Sequence, residues 1–501
     1  MTNITRRTLL IGSAGVAGAL TVGGLAGCSR SSTASTAVSP GSTAVRTAEA
    51  TRRPTGQKVV TAQLTPRAAT IDLGGLHVPT WAFGEAVPGP LLRATAGDLL
   101  RVSVMNTLPA ATSVHWHGIA IRNDMDGVPG ITQKPIDPGT RFPYDFTAPD
   151  PGTYFYHPHS GVQLDRGLYG VLVIDDPHEP GHYDQEWVVV LDDWIDGTGT
   201  TPDQVLKKLQ TTGGSSGMGG MGGSGGSGGS GESMQSRLLG GAGDIAYPHY
   251  LLNGRIPNSP VTLTGTPGQR VRIRIVNAGS DTAFRVALGG HRMTVTHTDG
   301  YPVQPAVTDA LLIGMGERFD VLVTLADGAF PLVASAEGKT GHGMAVVRTS
   351  PAAAAPAATA VPAELSRRVL LGTDLLAAAS SRLPDRPVDT SHDLALGGSM
   401  SGYRWTINGK SFPDTDPVEV RQGQRVRLRF TNQTMMAHPM HLHGHTFALT
   451  TGGARKDTVI VRPMQTVEVD LHADNPGQWA THCHNIYHAE AGMMTTLSYR
   501  T

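Results

Sequence analysis

The chain repeats one ten-residue phrase three times: GDLLRVSVMN at 97–106, GQRVRIRIVN at 268–277 and GQRVRLRFTN at 423–432. Each copy opens on a turn glycine and closes on asparagine, and between them polar residues, mostly arginine in the later copies, alternate with apolar ones. A period of two sends successive side chains to opposite faces, so each phrase predicts a half-buried strand with one core face and one wet face. The copies lie 171 and 155 residues apart, the length of a domain. Each follows an earlier turn signal: Gly84, Asn253-Gly254 and Asn408-Gly409. The rest of each repeat reads as short strands between Gly, Pro and Asp turns. The expected fold is all-β, three consecutive β-sandwich domains.

Composition agrees with this reading. Sixty-three glycines and 34 prolines suit many short strands and turns rather than helix bundles. A net charge of −1, with no basic stripe, gives no sign of a nucleic-acid partner. Residues 1–28 read as a twin-arginine lipoprotein signal: Arg6-Arg7, an apolar run from Leu9 to Leu25, then Leu25-Ala26-Gly27-Cys28. Cleavage there would leave Cys28 acylated, as a lipid anchor at the outer face of a bacterial cytoplasmic membrane. Residues 29–55 are rich in Ser, Thr and Ala and read as a flexible tether. The domains are then expected at 56–178, 179–350 and 365–501. The second carries a Gly/Ser/Met-rich insert at 211–236, whose core from Thr211 to Glu232 is too poor in apolar residues to order itself. An Ala/Pro linker is expected at 351–364.

Twenty histidines against two cysteines point to an imidazole-rich metal protein rather than a disulfide framework. The repeat register sharpens this. His115 and His117 stand nine and eleven residues after Asn106, and His441 and His443 stand at the same offsets after Asn432. The middle repeat has Val286 and Leu288 there. A second motif follows the same rule: Pro151-Gly152 leads to His157 and His159, and Pro476-Gly477 to His482 and His484, where the middle repeat has Val333 and Ser335. On a strand, residues i and i+2 share a face about 7 Å apart. Four such pairs from the outer domains make eight imidazoles around one cavity, room for several ions, with the middle domain as a spacer. One His-x-His alone could be chance or an isolated zinc site; four at matched offsets are not.

The third repeat adds a separate set. Cys483 lies between His482 and His484, His488 follows five residues later and Met493 five after that, and His438 comes from the other loop. Two imidazoles, a thiolate and a weak thioether are the donors of an electron-transfer copper site. Zinc is a poor rival, because it has no redox change to offer and the ligands far outnumber one tetrahedral set. Cys483 joins this site to two cluster histidines through the backbone, a covalent route for electrons.

These motifs resemble those of the three-domain multicopper oxidases, laccase-like enzymes of cupredoxin fold, over about Lys58 to the C-terminus. The resemblance implies cupredoxin-like Greek-key sandwiches and four copper ions. His438, Cys483, His488 and Met493 would hold the type 1 copper, and His115 and His441 the type 2 copper. His117, His157, His159, His443, His482 and His484 would hold the type 3 pair. It further implies acids for proton delivery. Asp126 matches one; the position of the other is Ala489, with Glu490 one residue on. The partners implied are O2 and a reducing substrate.

Two donors are compatible with the sequence. The wording of the motifs and the lipoprotein form resemble bacterial copper-resistance oxidases, which makes Cu(I) a substrate. Met436 matches a substrate-copper methionine of such enzymes, although the neighbouring acid is here Thr434. Met218, Met221 and Met234 in the insert are soft ligands or filler, and Met435, Met440 and Met464 read as core. Phenols and aromatic amines are the other donor, as for a laccase. The complete twelve-ligand set argues against a copper-binding scaffold without turnover. A monomer is expected. Cys483→Ser should abolish the intense blue absorption and all turnover while cluster copper remains, read by visible spectra and copper counts; retained blue colour refutes the assignment.

Overall fold

The three phrases form the strands Leu99–Met105, Arg270–Asn277 and Arg425–Asn432. In each repeat this strand lies parallel to an earlier one, Val59–Leu64, Gln185–Trp194 or Thr390–Ser399. On its other side it pairs antiparallel with Arg141–Thr147, Arg318–Thr324 or Thr466–His472. Facing this sheet, a second one is laid out equally regularly. His115–His117, Phe284–Leu288 and His438–Leu442 each pair with a partner strand, Gly152–His157, Ala329–Ala336 and Gln478–Cys483. The chain is thus three cupredoxin-like β-sandwiches built to one plan, with 45% strand and 10% helix. This computed structural model describes residues 36–179, 181–212 and 234–501. None of its helices is long and apolar enough to cross a membrane.

The alternation works as expected on the inner face: Val102, Val104, Ile273, Ile275, Leu428 and Phe430 are at most 1% exposed. The closing asparagine of each phrase is a clamp. Asn106 Nδ2 donates to the carbonyls of Ala110 and Ile136 at 2.9 and 2.8 Å. Asn277 does the same to Thr282 and Ile313, and Asn432 to Met436 and Val461. Each asparagine Oδ1 also accepts from the amide two residues ahead, Leu108, Gly279 or Thr434. All three are buried, so the bonds satisfy carbonyls that would otherwise be stranded. The clamp fixes the loop that leads into the histidine-bearing strand.

Four expectations need correction or re-bounding. First, the outer face of the middle sheet is not wet. Arg272 and Arg274 are 3% and 2% exposed: Glu179, Tyr183 and Asp320 close over Arg272, and the first sandwich reaches Arg274. Both bond Asp320, and Arg274 also reaches Thr153 of the first sandwich at 2.9 Å. Second, the tether expected at 29–55 is docked from residue 36 onward. Ala37 bridges Arg500 and Val38 N donates to Tyr499 O. A helix then runs from Thr43 to Arg52 with Val45 and Glu49, one turn apart, buried. Glu49 accepts from the Thr147 amide at 3.0 Å, and Arg52 donates to the Ala120 carbonyl. Composition hid a short amphipathic helix with Val45 and Glu49 on its buried i, i+4 face, Glu49 bonding the first sandwich and Val45 joining the apolar cluster that includes Trp479 and Tyr499.

Third, the insert is narrower than 211–236. Thr211 and Thr212 end the helix Pro202–Thr212, and Gln235–Ser236 pairs with Gly240–Gly241. Residues 213–233, with Met218 and Met221, lie outside the described residues, as do Arg6, Arg7 and Cys28. Fourth, the chain stays on the middle sandwich past the expected linker. Leu365 is buried among Ala287, Ala310 and Val333, and Val369–Leu370 pairs with the Ala310–Ile313 strand.

Val45→Asp should lower stability by about 2–3 kcal/mol, since it places a carboxylate among apolar neighbours without a partner. It should also speed proteolysis within residues 36–53. A melting curve and cleavage rate equal to the wild type would show that the segment is not docked.

Candidate metal centre

The register of two strand pairs builds the centre. His115 lies opposite His157, and His441 opposite His482, so each outer sandwich contributes a facing pair with ring centroids 5.4 and 5.6 Å apart. His117 and His443 stand two residues further on each strand and share that face. The two His-x-His segments then meet in opposite directions. His115 stacks on His443 and His117 on His441, each pair with centroids 3.7 Å apart. None of the eight rings is more than 8% exposed. Two triads bring all their ligand nitrogens within 4.8 Å: His117, His157 and His484, and His159, His443 and His482. A third, His115, His117 and His441, overlaps the first.

Hydrogen bonds on the far side of the rings decide which nitrogens face inward. Nδ1 of His115, His157, His441 and His482 each lies 2.8–3.0 Å from a backbone carbonyl, and so carries the proton. His443 Nδ1 donates to Asp126 Oδ2 at 3.0 Å. His117 is turned the other way: its Nε2 donates to Asp457 Oδ1 at 3.1 Å. The inward nitrogens are left bare. Among the described residues, Nε2 of His115, His157 and His441, Nδ1 of His117 and both nitrogens of His484 have no partner. Nε2 of His443 and His482 are 3.0 Å apart, and both are lone pairs. A lone pair cannot bond a lone pair, so a cation between them is the natural resolution, and neutral imidazole is the form that ligates one. Burial, reinforced by the neighbouring histidines, keeps five of the rings neutral, holding His482 at about 3 and His157, His159, His443 and His484 well below the usual range.

The mononuclear set also converges. His438 Nδ1 and His488 Nδ1 are 3.1 Å apart, and each is 3.7 Å from Cys483 Sγ. Met493 is fully buried, and its carbonyl accepts from the Cys483 amide. His488 sits on the short helix Ile486–Glu490, capped by Asn485 Oδ1. Its Nε2 bonds Asp244 Oδ2 at 2.8 Å, while His438 Nε2 bonds Thr434 Oγ1 at 2.8 Å. Burial alone would lower the pKa of His488, but the Asp244 carboxylate and the Cys483 sulfur outweigh it and push it up to about 10. The Trp405 ring lies over His488, with centroids 4.0 Å apart. Soft sulfur with imidazoles selects a copper-like ion over magnesium or calcium. The two neighbours of Cys483 enter different triads, His482 one and His484 the other.

The structure therefore gathers all eleven predicted histidine and cysteine ligands, and buries Met493 beside Cys483. Asp126 is buried at the cluster, with Oδ1 3.2 Å from His115 Nδ1. Glu490 does not join either group: its side chain is exposed at the end of its helix. Met440 is core, but Met435 and Met464 are 73% and 68% exposed, because both lie on loops between strands. Nor is the middle sandwich a spacer. Gly316, at φ +83°, presses so close that a Cβ there would stand 2.8 Å from His484 Cδ2 and 3.0 Å from His117 Cε1. Arg318, also from the middle sandwich, pairs with Asp457 through two bonds of 2.7 and 2.6 Å, all fully buried. Asp244, Asp457 and Arg318 carry no repeat or spacing signal, and nothing in the sequence alone marks them.

Family models described as multicopper oxidase match residues 66–179, 185–354 and 385–501. Multicopper oxidase MmcO of Mycobacterium tuberculosis is 53% identical over 95% of this chain and 94% of its own length. A copper resistance protein A homolog of Pseudomonas syringae pv. tomato is 30% identical, over 88% of this chain and 92% of its own. Among solved structures, a multi-copper oxidase from Pseudomonas thermotolerans superposes with a TM-score of 0.68 at 27% identity, covering 89% of this chain and all of that one. The iron-import multicopper oxidase Fet3p shares the fold, with a TM-score of 0.75 at 22% identity over 88% of this chain and 90% of its own.

Gly316→Ala should strip metal from the cluster. The added methyl meets two rings, and the left-handed backbone costs about 1–2 kcal/mol for any residue with a Cβ. Turnover should fall at least about tenfold, with copper bound per chain reduced. Full copper occupancy at the wild-type rate would show that the middle sandwich does not press on the site.

Proposed function

The chain belongs to the multicopper oxidase family, and from that premise we propose that its physiological electron donor is Cu(I), oxidised with O2 as the final acceptor in copper detoxification. The observation that carries the proposal is a pocket of about 570 Å3 beside the mononuclear set. Four methionines, Met234, Met400, Met435 and Met436, line it together with Asp244. Thioethers and a single carboxylate suit a soft monovalent ion. Two residues of the wall are bonded to the two mononuclear histidines, Asp244 to His488 and Thr434 to His438. An electron donor in the pocket is one hydrogen bond away from either ring. Copper-resistance proteins among the relatives support this reading.

We assign His438, Cys483, His488 and Met493 to the type 1 copper and His115 and His441 to the type 2 copper. The type 3 pair then divides as His117, His157 and His484 for one ion and His159, His443 and His482 for the other, following the two separate triads. Copper at these positions supplies one-electron exchange and the four-electron reduction of O2 to water. The residues do the rest. The cluster imidazoles are buried away from bulk water. Backbone carbonyls orient His115, His157, His441 and His482, Asp457 orients His117 and Asp126 orients His443. Asp126, buried with Oδ1 lacking a hydrogen-bond partner among the described residues, is the carboxylate placed at the cluster for proton delivery. The signal at Arg6-Arg7 and Cys28 supports twin-arginine export and a lipid anchor on the outer face of the cytoplasmic membrane.

A laccase-type reaction with phenols or aromatic amines is the second reading. It is favoured by the same pocket, which is large enough for an aromatic ring and has Trp405 in its wall. Kinetics with Cu(I) and with a phenol separate the two. Replacing Met435 and Met436 together by Leu should raise KM for Cu(I) about tenfold or more, roughly 1.4 kcal/mol of lost binding. Phenol turnover should stay within about twofold, since Leu conserves volume and apolarity. Equal loss with both donors would remove the thioethers from the Cu(I) reading.

A further inference from the structure

On the third sandwich, away from both metal-ligating groups, a cleft of about 450 Å3 opens between residues 382–388 and the start of the Arg425–Asn432 strand. Four arginines line it, Arg382, Arg386, Arg425 and Arg427, against two carboxylates, Asp385 and Asp470. Among the described residues, two of the four have a carboxylate ion-pair partner and two do not. The arginines differ in how they are compensated. Arg427 is taken by Asp470, with bonds of 2.8 and 2.9 Å. Arg386 pairs with Asp389 at the surface. Arg382 is exposed and has no ion pair among the described residues.

Arg425 is the unusual one. It lies in a shallow position, yet its neighbours cover it to 5% exposure. Its Nη2 donates to the Pro384 carbonyl at 2.8 Å, and its Nε has no partner among the described residues. Among the described residues, no carboxylate lies within 4.0 Å of its guanidinium nitrogens. The nearby acids are committed elsewhere: Asp389 accepts from the Arg425 backbone amide at 2.6 Å and from Arg386, and Asp470 serves Arg427. Burial lowers the pKa of Arg425, and Arg386 and Arg455 add to this against the opposing pull of Asp470. A covered guanidinium with an unpartnered Nε and no carboxylate beside it is costly to keep unless an anion compensates it.

We propose that this cleft is a binding site for a small oxyanion of the phosphate or sulfate class, with Arg425 as the inner contact and Arg382 as the outer one. The planar guanidinium fork matches two oxygens of such an anion. Arg382 and Arg425, which have no carboxylate ion-pair partner among the described residues, present two guanidinium groups to the several oxygens of one such anion. The site is independent of the metal centre and of the donor that reduces it.

Calorimetric titration of inorganic phosphate into the full copper-loaded chain tests this, with chloride at matched ionic strength as control. The wild type should bind one phosphate saturably and melt higher as phosphate rises, and chloride should do neither. Arg382→Ala, at an exposed position, should weaken binding about fivefold, the loss of one charge-assisted contact. Arg425→Met should abolish binding, and without phosphate it should melt no lower than the wild type, because an apolar side chain replaces an uncompensated charge. Should Arg425→Met fail to fold, the wild-type and Arg382→Ala titrations still decide. Absence of saturable binding by the wild type, or binding unchanged in both variants, overturns the proposal.

Discussion

All three sandwiches meet at one buried ion pair, Arg318 with Asp457. Arg318 comes from the middle sandwich and Asp457 from the third, and His117 of the first donates to the same carboxylate. Both charged groups are fully buried, so their removal from water is expensive, and only complete pairing offsets it. The pairing is complete on the arginine side: Nε donates to Thr153 O, Nη1 to Gly316 O and Asp457, and Nη2 to Asp457. Burial on its own would raise the pKa of Asp457, but Arg318 holds it far below the carboxylate range. That fixed negative charge sets the tautomer of His117 and lies 3.4 Å from Nδ1 of His441. The inward-facing lone pair of His117 exists because this one pair is in place.

The mononuclear site is organised by the same logic at smaller scale. Its two imidazoles turn Nδ1 toward each other and toward Cys483, and anchor Nε2 to oxygen atoms in the pocket wall. One anchor is a carboxylate and the other a hydroxyl. The Asp244 carboxylate is itself bonded by Tyr403 at 2.7 Å, so the ring is held by a chain rather than by a single contact. Geometry at the metal and access from the pocket are therefore set by the same few side chains.

How much of this was legible in the sequence follows from the range of each interaction. The phrases at 97–106, 268–277 and 423–432 gave the sandwiches, because strand alternation and the closing asparagine are local rules. The eight cluster histidines were legible because the repeat supplies an internal control, histidine at one offset in two copies and valine, leucine or serine in the third, whereas His438, Cys483 and His488 were legible from their spacing around that motif in the third copy alone. Arg318, Asp457, Asp244 and Gly316 act across sandwich boundaries, between residues as much as 340 positions apart, as for His117 and Asp457, and no period links such pairs. The wet face expected for the middle strand failed for a similar reason, since Arg274 meets Thr153 of the first sandwich and Arg272 is closed over by Glu179 and Asp320. The N-terminal segment misled by composition: its Ser, Thr and Ala content reads as a linker, while two residues one turn apart decide its docking.

That segment also bears on how the outer sandwiches stay together. Its helix lies on the first sandwich through Glu49 and the Thr147 amide, while residues 36–38 pair with the closing residues of the third. Arg52 touches both, donating to Ala120 O on one side and Asp474 O on the other. A dozen or so residues thus act as a bivalent staple over the seam that houses the imidazoles. Each contact is weak by itself, but once one end is seated the other rebinds at high local concentration, so two modest attachments hold the seam with the avidity of one strong bond.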